Sequence, residues 1–210
     1  MNKFKSHIVK RLPRLVAAVA AVALIAGIAP STQAIADNPP RKILTGWIPY
    51  YSIKTSLPAA INNADLIKEV MPFWYTLKFN GKTKEAYVAD LYAPANPSVP
   101  ISEPLTAMRN AGLSIIPTIT DGTDKLVLAG LLKNPTSRTQ IVNAIMNLVR
   151  TNNYDGIDLD FEGFAFVDGN GTWTSTAPLW VAFVKELSTA LRAEKKLLSV
   201  STPYVLNPKD

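Results

Sequence analysis

The stretch Tyr154-Asp155-Gly156-Ile157-Asp158-Leu159-Asp160-Phe161-Glu162-Gly163 decides how the rest of the chain is read. Successive side chains of a β-strand alternate between its two faces. Asp158, Asp160 and Glu162 therefore share one face, and Ile157, Leu159 and Phe161 share the other. The apolar set suits burial under covering helices. The acidic set then points to the opposite side of the sheet, its members spaced roughly 6.5–7 Å apart along the strand. Three carboxylates so placed repel one another and lose water, an arrangement that costs stability and calls for a task. Crowding and desolvation favour a proton on at least one of them, which is how a carboxylic acid is kept as a general acid near neutral pH.

Blander uses of these acids fit less well. A calcium loop of the EF-hand type needs Gly at its sixth position and Glu at its twelfth. Counted from Asp158, those positions are Gly163 and Gly169, so the bidentate ligand is missing. A magnesium or calcium site of another kind is compatible with carboxylates at a strand end. A solvated acidic edge is disfavoured by the large apolar residues interleaved with the acids. The favoured reading takes no metal and no cofactor.

Outward from this strand, apolar runs alternate with helical patterns. Residues 43–51 read as a strand, 57–68 as a helix, and 70–77 as a second strand. Asn80-Gly81-Lys82 suits a tight turn, and a proline-bearing loop runs from Pro94 to Pro104. A short helix around Leu105–Ala111 ends at Gly112 in the C-cap position. Leu113 to Thr120 is a third strand, closed by Asp121-Gly122. Asn134-Pro135 reads as an N-cap with Pro at the first helical position, leading to about Arg150. The acidic strand is the fourth, residues 179–195 form a helix, and residues 197–204 form a fifth strand. Five near-continuously apolar strands with four crossovers indicate an α/β fold with a parallel sheet covered by helices. An open doubly wound sheet and the first part of an eight-stranded barrel fit this count equally.

Composition narrows the chemistry. The 210 residues include 22 Lys plus Arg, 16 Asp plus Glu, one His and no Cys. The N-terminus carries Lys3, Lys5, Lys10, Arg11 and Arg14, then the apolar run Leu15–Ile28 and the small-residue pattern Ala34-Ile35-Ala36. This is the layout of a secretory signal, residues 1–36. Its apolar run falls short of the roughly 20 residues a spanning helix needs, so no stable membrane span is expected after cleavage. Taking those five basic residues from 22 leaves 17 against 16 acidic ones. A nearly neutral mature chain, 37–210, does not support a nucleic-acid footprint. The single His is His7, inside the signal. A Ser-His-Asp triad, a Cys nucleophile and a His-ligated metal are therefore excluded from residues 37–210. A secreted chain without cysteine draws its stability from a packed core.

Asp155-x-x-Asp158-x-Asp160-x-Glu162, preceded by Tyr154 and followed by Gly163-Phe164, resembles the signature of glycoside hydrolase family 18, the chitinase-like family. Gly46-Trp47-Ile48-Pro49-Tyr50-Tyr51, Pro72-Phe73-Trp74-Tyr75 and Arg138 are similar to a bacterial secreted branch of it. The resemblance covers about residues 43–205. It implies a (β/α)8 TIM barrel with the motif on strand four, of which this chain supplies about strands 1–5. Strands 1 and 5 then lack the partners a closed barrel would give them, and the strand-six Tyr and strand-eight Trp of the family have no counterpart. Many chitinases carry Ser-x-Gly-Gly on strand three. This chain has Pro117-Thr118-Ile119-Thr120-Asp121-Gly122, closer to the spore-cortex and peptidoglycan-type glucosaminidases.

The resemblance also implies roles. Glu162 would protonate the leaving glycosidic oxygen and later serve as base for water. Asp160 would orient the substrate's own N-acetyl group, which replaces an enzyme nucleophile in this family. Asp158 would support Asp160, while Asp155 and Gly156 would be structural. Tyr50, Trp74 and Tyr75 would offer sugar-stacking faces or serve as core aromatics, and Trp173 would touch sugar from the loop after strand four. The expected partner is an N-acetylglucosamine-containing polysaccharide or oligosaccharide outside the cell. The alternatives are a noncatalytic carbohydrate-binding relative and an inactive fragment.

Overall fold

The computed structural model describes residues 44–202, so the expected signal segment lies outside the described residues. In chain order, β1 (Leu44–Pro49) leads through a short 3-10 turn into α1 (Ile53–Asn62). Then come the long β2 (Ile67–Asn80), β3 (Glu85–Asp90) and a helical turn at Tyr92–Ala95. α2 (Ser102–Asn110), β4 (Ser114–Ile115), β5 (Thr118–Asp121), α3 (Val127–Lys133) and α4 (Pro135–Thr151) follow. The chain continues through β6 (Gly156–Asp160), a helical turn at Gly163–Phe166, α5 (Trp173–Ala193) and β7 (Leu197–Val200).

The sheet order is β1-β2-β5-β6-β7, and each of these neighbours pairs in parallel. β4 pairs with the start of β2 and continues into β5 across Ile116-Pro117, so the two are one interrupted strand. The five strand positions are those the apolar runs indicate. Among the described residues β1 and β7 end this order, and β3 is a further edge strand, antiparallel along the second half of β2. No helix among them is long and apolar enough to cross a membrane.

Local chemistry explains these elements. The Asn134 side chain accepts from the N–H groups of Thr136 and Ser137 at 2.9 and 3.3 Å, which caps α4 where Pro135 needs no donor. Ile141, Val142, Ile145, Met146 and Val149 then recur on its buried face. Gly112, at φ 73, ends α2 in a left-handed conformation open to glycine. The apolar face of β6 is fully buried and continues into Phe161 just after it, which stacks on Phe183 of α5 at 6.0 Å with planes 8° apart and lies 5.9 Å from Trp180. Gly156 lets β7 approach, because a Cβ there would run into the Leu197 carbonyl.

Three features depart from the periodic reading. The first helix spans Ile53–Asn62 rather than 57–68, because Asn63 turns the chain and residues from Ile67 onward already belong to the sheet. The turn after Asn80 opens an antiparallel hairpin, with Asn80 Oδ1 accepting from the Lys82 N–H at 2.9 Å and β3 returning along β2. α3, with Leu128, Leu131 and Leu132 buried, fills a stretch that the reading left unassigned.

Candidate active site

β6 delivers two of the three acids by simple alternation. Asp158 is 1% exposed and lines a pocket of about 340 Å³ on the inner face, with Trp47, Met71, Ser199 and Ser201. Asp160, two residues on, and Glu162, just past the strand, both line an adjoining cleft of about 570 Å³ at the C-terminal end of the sheet. Trp47, Tyr51, Phe73 and Ser201 form its other walls. This volume falls in the range of small-ligand sites. Glu162 has left the strand conformation, at φ −101 and ψ −6, and its carbonyl accepts from Ala165 and Phe166 at 3.0 and 3.1 Å. It starts the helical turn that lifts it to the rim.

Asp158 is held rather than free. Its Oδ2 accepts from the Thr118 hydroxyl at 2.8 Å and from the Trp47 indole N–H at 3.5 Å, while its Oδ1 is buried without a partner. Burial raises the Asp160 pKa above the usual carboxylate range, and the negative charges of Glu162 and Asp158 push it the same way. Asp160 thus keeps its proton more readily than an ordinary carboxylate, and in that state it donates as well as accepts. Asp155 lies at the other end of β6. Its Oδ2 accepts from the Ile115 N–H at 2.8 Å, its own N–H donates to the Ile115 carbonyl at 2.9 Å, and its carbonyl accepts from Leu197 at 2.9 Å. It ties three strands together.

The structure corrects the aromatic expectations. Trp74 is fully buried, with its ring 4.6 Å from Tyr92, so it offers no face to a ligand. Tyr75 is buried too, its hydroxyl 2.7 Å from that of Tyr154, and burial pushes its pKa strongly up. The physical reason is a bulge: Phe73 pairs with Thr118 and Tyr75 with Ile119, so Trp74 is skipped. Phe73 faces the cleft, and both residues after it turn into the core. Tyr50 stands beside the cleft without lining it, its ring against that of Tyr51 at 5.2 Å and its carbonyl accepting from Asn96. Trp173 begins α5, half-buried, with its indole N–H buried and unpartnered, and does not line the cleft.

Sequence reasoning missed Trp47, Tyr51, Phe73 and Thr118 as site residues. Trp47 is 54% exposed and Tyr51 71%. Alternation on β1 carries the signal for Trp47, since Ile48 beside it is buried and the next side chain along must face the other way.

A family profile described as glycosyl hydrolases family 18 matches residues 45–207. Over 73 residues the chain is 34% identical to a protein of Bacillus subtilis (strain 168) named as a sporulation-specific glycosylase, YdhD, covering 35% of this chain and 16% of that one. The C-terminal domain of a protein named as a chitinase from Desulfitobacterium hafniense DCB-2 superposes with a TM-score of 0.60 at 20% identity, over 80% of this chain and 47% of that one. Catalytic domain 2 of the Ostrinia furnacalis Group II chitinase, a mutant in complex with (NAG)5, superposes with a TM-score of 0.61 at 14% identity, over 77% of this chain and 44% of that one. The chain spans less than half the length of each. At such identities the structural likeness speaks for the fold, the (β/α)8 barrel, of which the described strands form a part. A profile running from within β1 to beyond β7 is more than a local motif match, and the chain belongs to family 18 of the glycosyl hydrolases.

Proposed function

We propose that this chain carries the acid-base centre of a secreted glycosidase that hydrolyses β-1,4 links of N-acetylglucosamine-containing glycans. The observation that carries the reading is the shared position of Asp160 and Glu162 in one aromatic-walled cleft at the C-terminal end of a parallel sheet, where barrel enzymes place their chemistry. Glu162, as a carboxylic acid, protonates the leaving glycosidic oxygen as that bond breaks. The carbonyl oxygen of the substrate's 2-acetamido group attacks the anomeric carbon from the opposite face, in place of an enzyme nucleophile. Glu162, now ionised, takes a proton from water as the water opens the resulting ring, so the anomeric configuration is retained.

Asp160 serves the acetamido group. Its pKa, raised by burial and by the neighbouring charges, keeps a proton within easier reach than on an ordinary carboxylate, and a carboxyl oxygen accepts from the acetamido N–H. Asp158 stands two residues before Asp160, buried and with its Oδ1 unpartnered. Trp47, Tyr51 and Phe73 supply apolar faces for pyranose rings. The (NAG)5 bound to the Ostrinia furnacalis neighbour favours a sugar of this type. The Bacillus subtilis relative is named for sporulation and as a glycosylase, not for chitin, so peptidoglycan stands beside chitin as substrate. The signal-like residues 1–36 support export.

The test is to incubate the full-length protein with chitooligosaccharides and with peptidoglycan fragments and to follow the first product by NMR. Release of the β-anomer from one of them is expected. Turnover of neither, or an α-anomer as first product, would overturn the reading.

A further inference from the structure

Glu162 stands at the N-cap of the Gly163–Phe166 turn without using its carboxyl to cap it. Its position in the cleft therefore depends on how the backbone around it is held. The residue after it is Gly163, whose φ is not positive, so this position uses the missing side chain rather than glycine's conformational freedom. A Cβ on Gly163 would lie 2.5 Å from Asp121 Oδ2 and 3.3 Å from Asp121 Cγ.

Asp121 ends β5, the strand beside β6. Its Oδ1 accepts from the Thr123 N–H at 3.0 Å and from the Thr123 hydroxyl at 2.7 Å. The carboxyl cannot rotate away from Gly163 without breaking both bonds. On its other side, the Gly163 carbonyl accepts from Val167 at 2.7 Å and from Asp168 at 3.0 Å. Asp168, itself buried, accepts through Oδ1 from the Leu126 N–H, and Leu126 sits at φ 63 in the same loop that Asp121 opens. One loop thus grips the chain on both sides of the residue that follows the acid.

We infer that Asp121 is a positioning residue for Glu162: its locked carboxyl is a stop against Gly163 that sets where the Glu162 carboxyl stands beside Asp160. The inference rests on the assignment of Glu162 as the acid made above. A shift of about 1 Å in a catalytic group can cost on the order of 100-fold in rate while substrate binding is kept.

The test is a double-mutant cycle in the full-length protein, with kcat and KM measured on whichever glycan the parent cleaves. Gly163→Ala is expected to lower kcat roughly 10- to 100-fold, with KM and Tm little changed, because the added methyl displaces the acid against Asp121. Asp121→Ala alone lowers kcat less, and combined with Gly163→Ala it recovers most of that variant's loss, since the collision is gone. Asp121→Asn, which keeps the shape and the bonds from Thr123, restores what Asp121→Ala loses. Parent-like kcat in Gly163→Ala, or losses that simply multiply in the double variant, would overturn the inference. Glu162→Gln in the same assay separates the two readings: if it turns over like the parent, the acid assignment itself falls.

Discussion

The Thr118 hydroxyl donates to Asp158 Oδ2 at 2.8 Å across the β5–β6 pair, and this is the short contact of a carboxylate that is 1% exposed. The two residues pair directly in the sheet register, so the bond follows from the strands themselves. Asp158 Oδ1 has no partner among the described residues, and the Trp47 indole stands at 3.5 Å from Oδ2. Little else holds the group.

Thr118→Val keeps the shape and removes the donor. It should destabilise the protein by about 1–3 kcal/mol, the usual cost of stranding a buried acceptor, with Thr118→Ser recovering most of the loss. Chemical denaturation measures this, and an unchanged midpoint for Thr118→Val would show that the bond carries no stability.

Asp160 should show the opposite behaviour. Its pKa is raised by folding, so the folded state binds the proton more tightly than the unfolded chain does. Its favourable contribution is fully present below the unfolded value of about 3.9 and is lost as pH rises through the folded one. Asp160→Asn removes a charge that the fold holds at a cost. Its Tm should therefore exceed the parent's near pH 7, with the difference shrinking toward about pH 3, while turnover falls. A lower Tm at neutral pH would contradict the assignment of burial and like charge as the cause.

The aromatic residues divide by the bulge in β2. Trp74→Phe removes an indole N–H that is buried without a partner, so activity should stay close to the parent's and stability should change little. Trp47→Ala opens a cleft wall and removes a donor to Asp158. It should raise KM and lower kcat together. Steady-state kinetics on the same oligosaccharide distinguish the two, and equal losses in both variants would place Trp74 in the site after all.

Much of this was legible because the acidic strand has period two with no irregularity. Ile157, Leu159 and Phe161 went to the helices, and Asp158 and Asp160 to the inner face. The Asn134-Pro135 cap was equally legible, since capping is a local interaction. β2 was not, because a single skipped residue at Trp74 changes which face the following side chains take, and nothing within Phe73-Trp74-Tyr75 announces a bulge. β3 was hidden for a related reason: its residues are mixed in polarity and only half-buried, so they form a strand through pairing with β2 rather than through a pattern of their own. The contact between Asp121 and Gly163 joins residues from neighbouring strands through loop geometry, which periodicity does not report.

The central claim is that Glu162 supplies the proton. The most direct measurement compares Glu162→Gln with the parent, in the full-length protein, for turnover of the cleaved glycan and for its binding by calorimetry. The amide keeps the side chain's shape and loses the transferable proton. Turnover should drop by roughly 100-fold or more, with the dissociation constant little changed. Turnover within about tenfold of the parent, short of the roughly 100-fold that general acid catalysis contributes, would contradict the account.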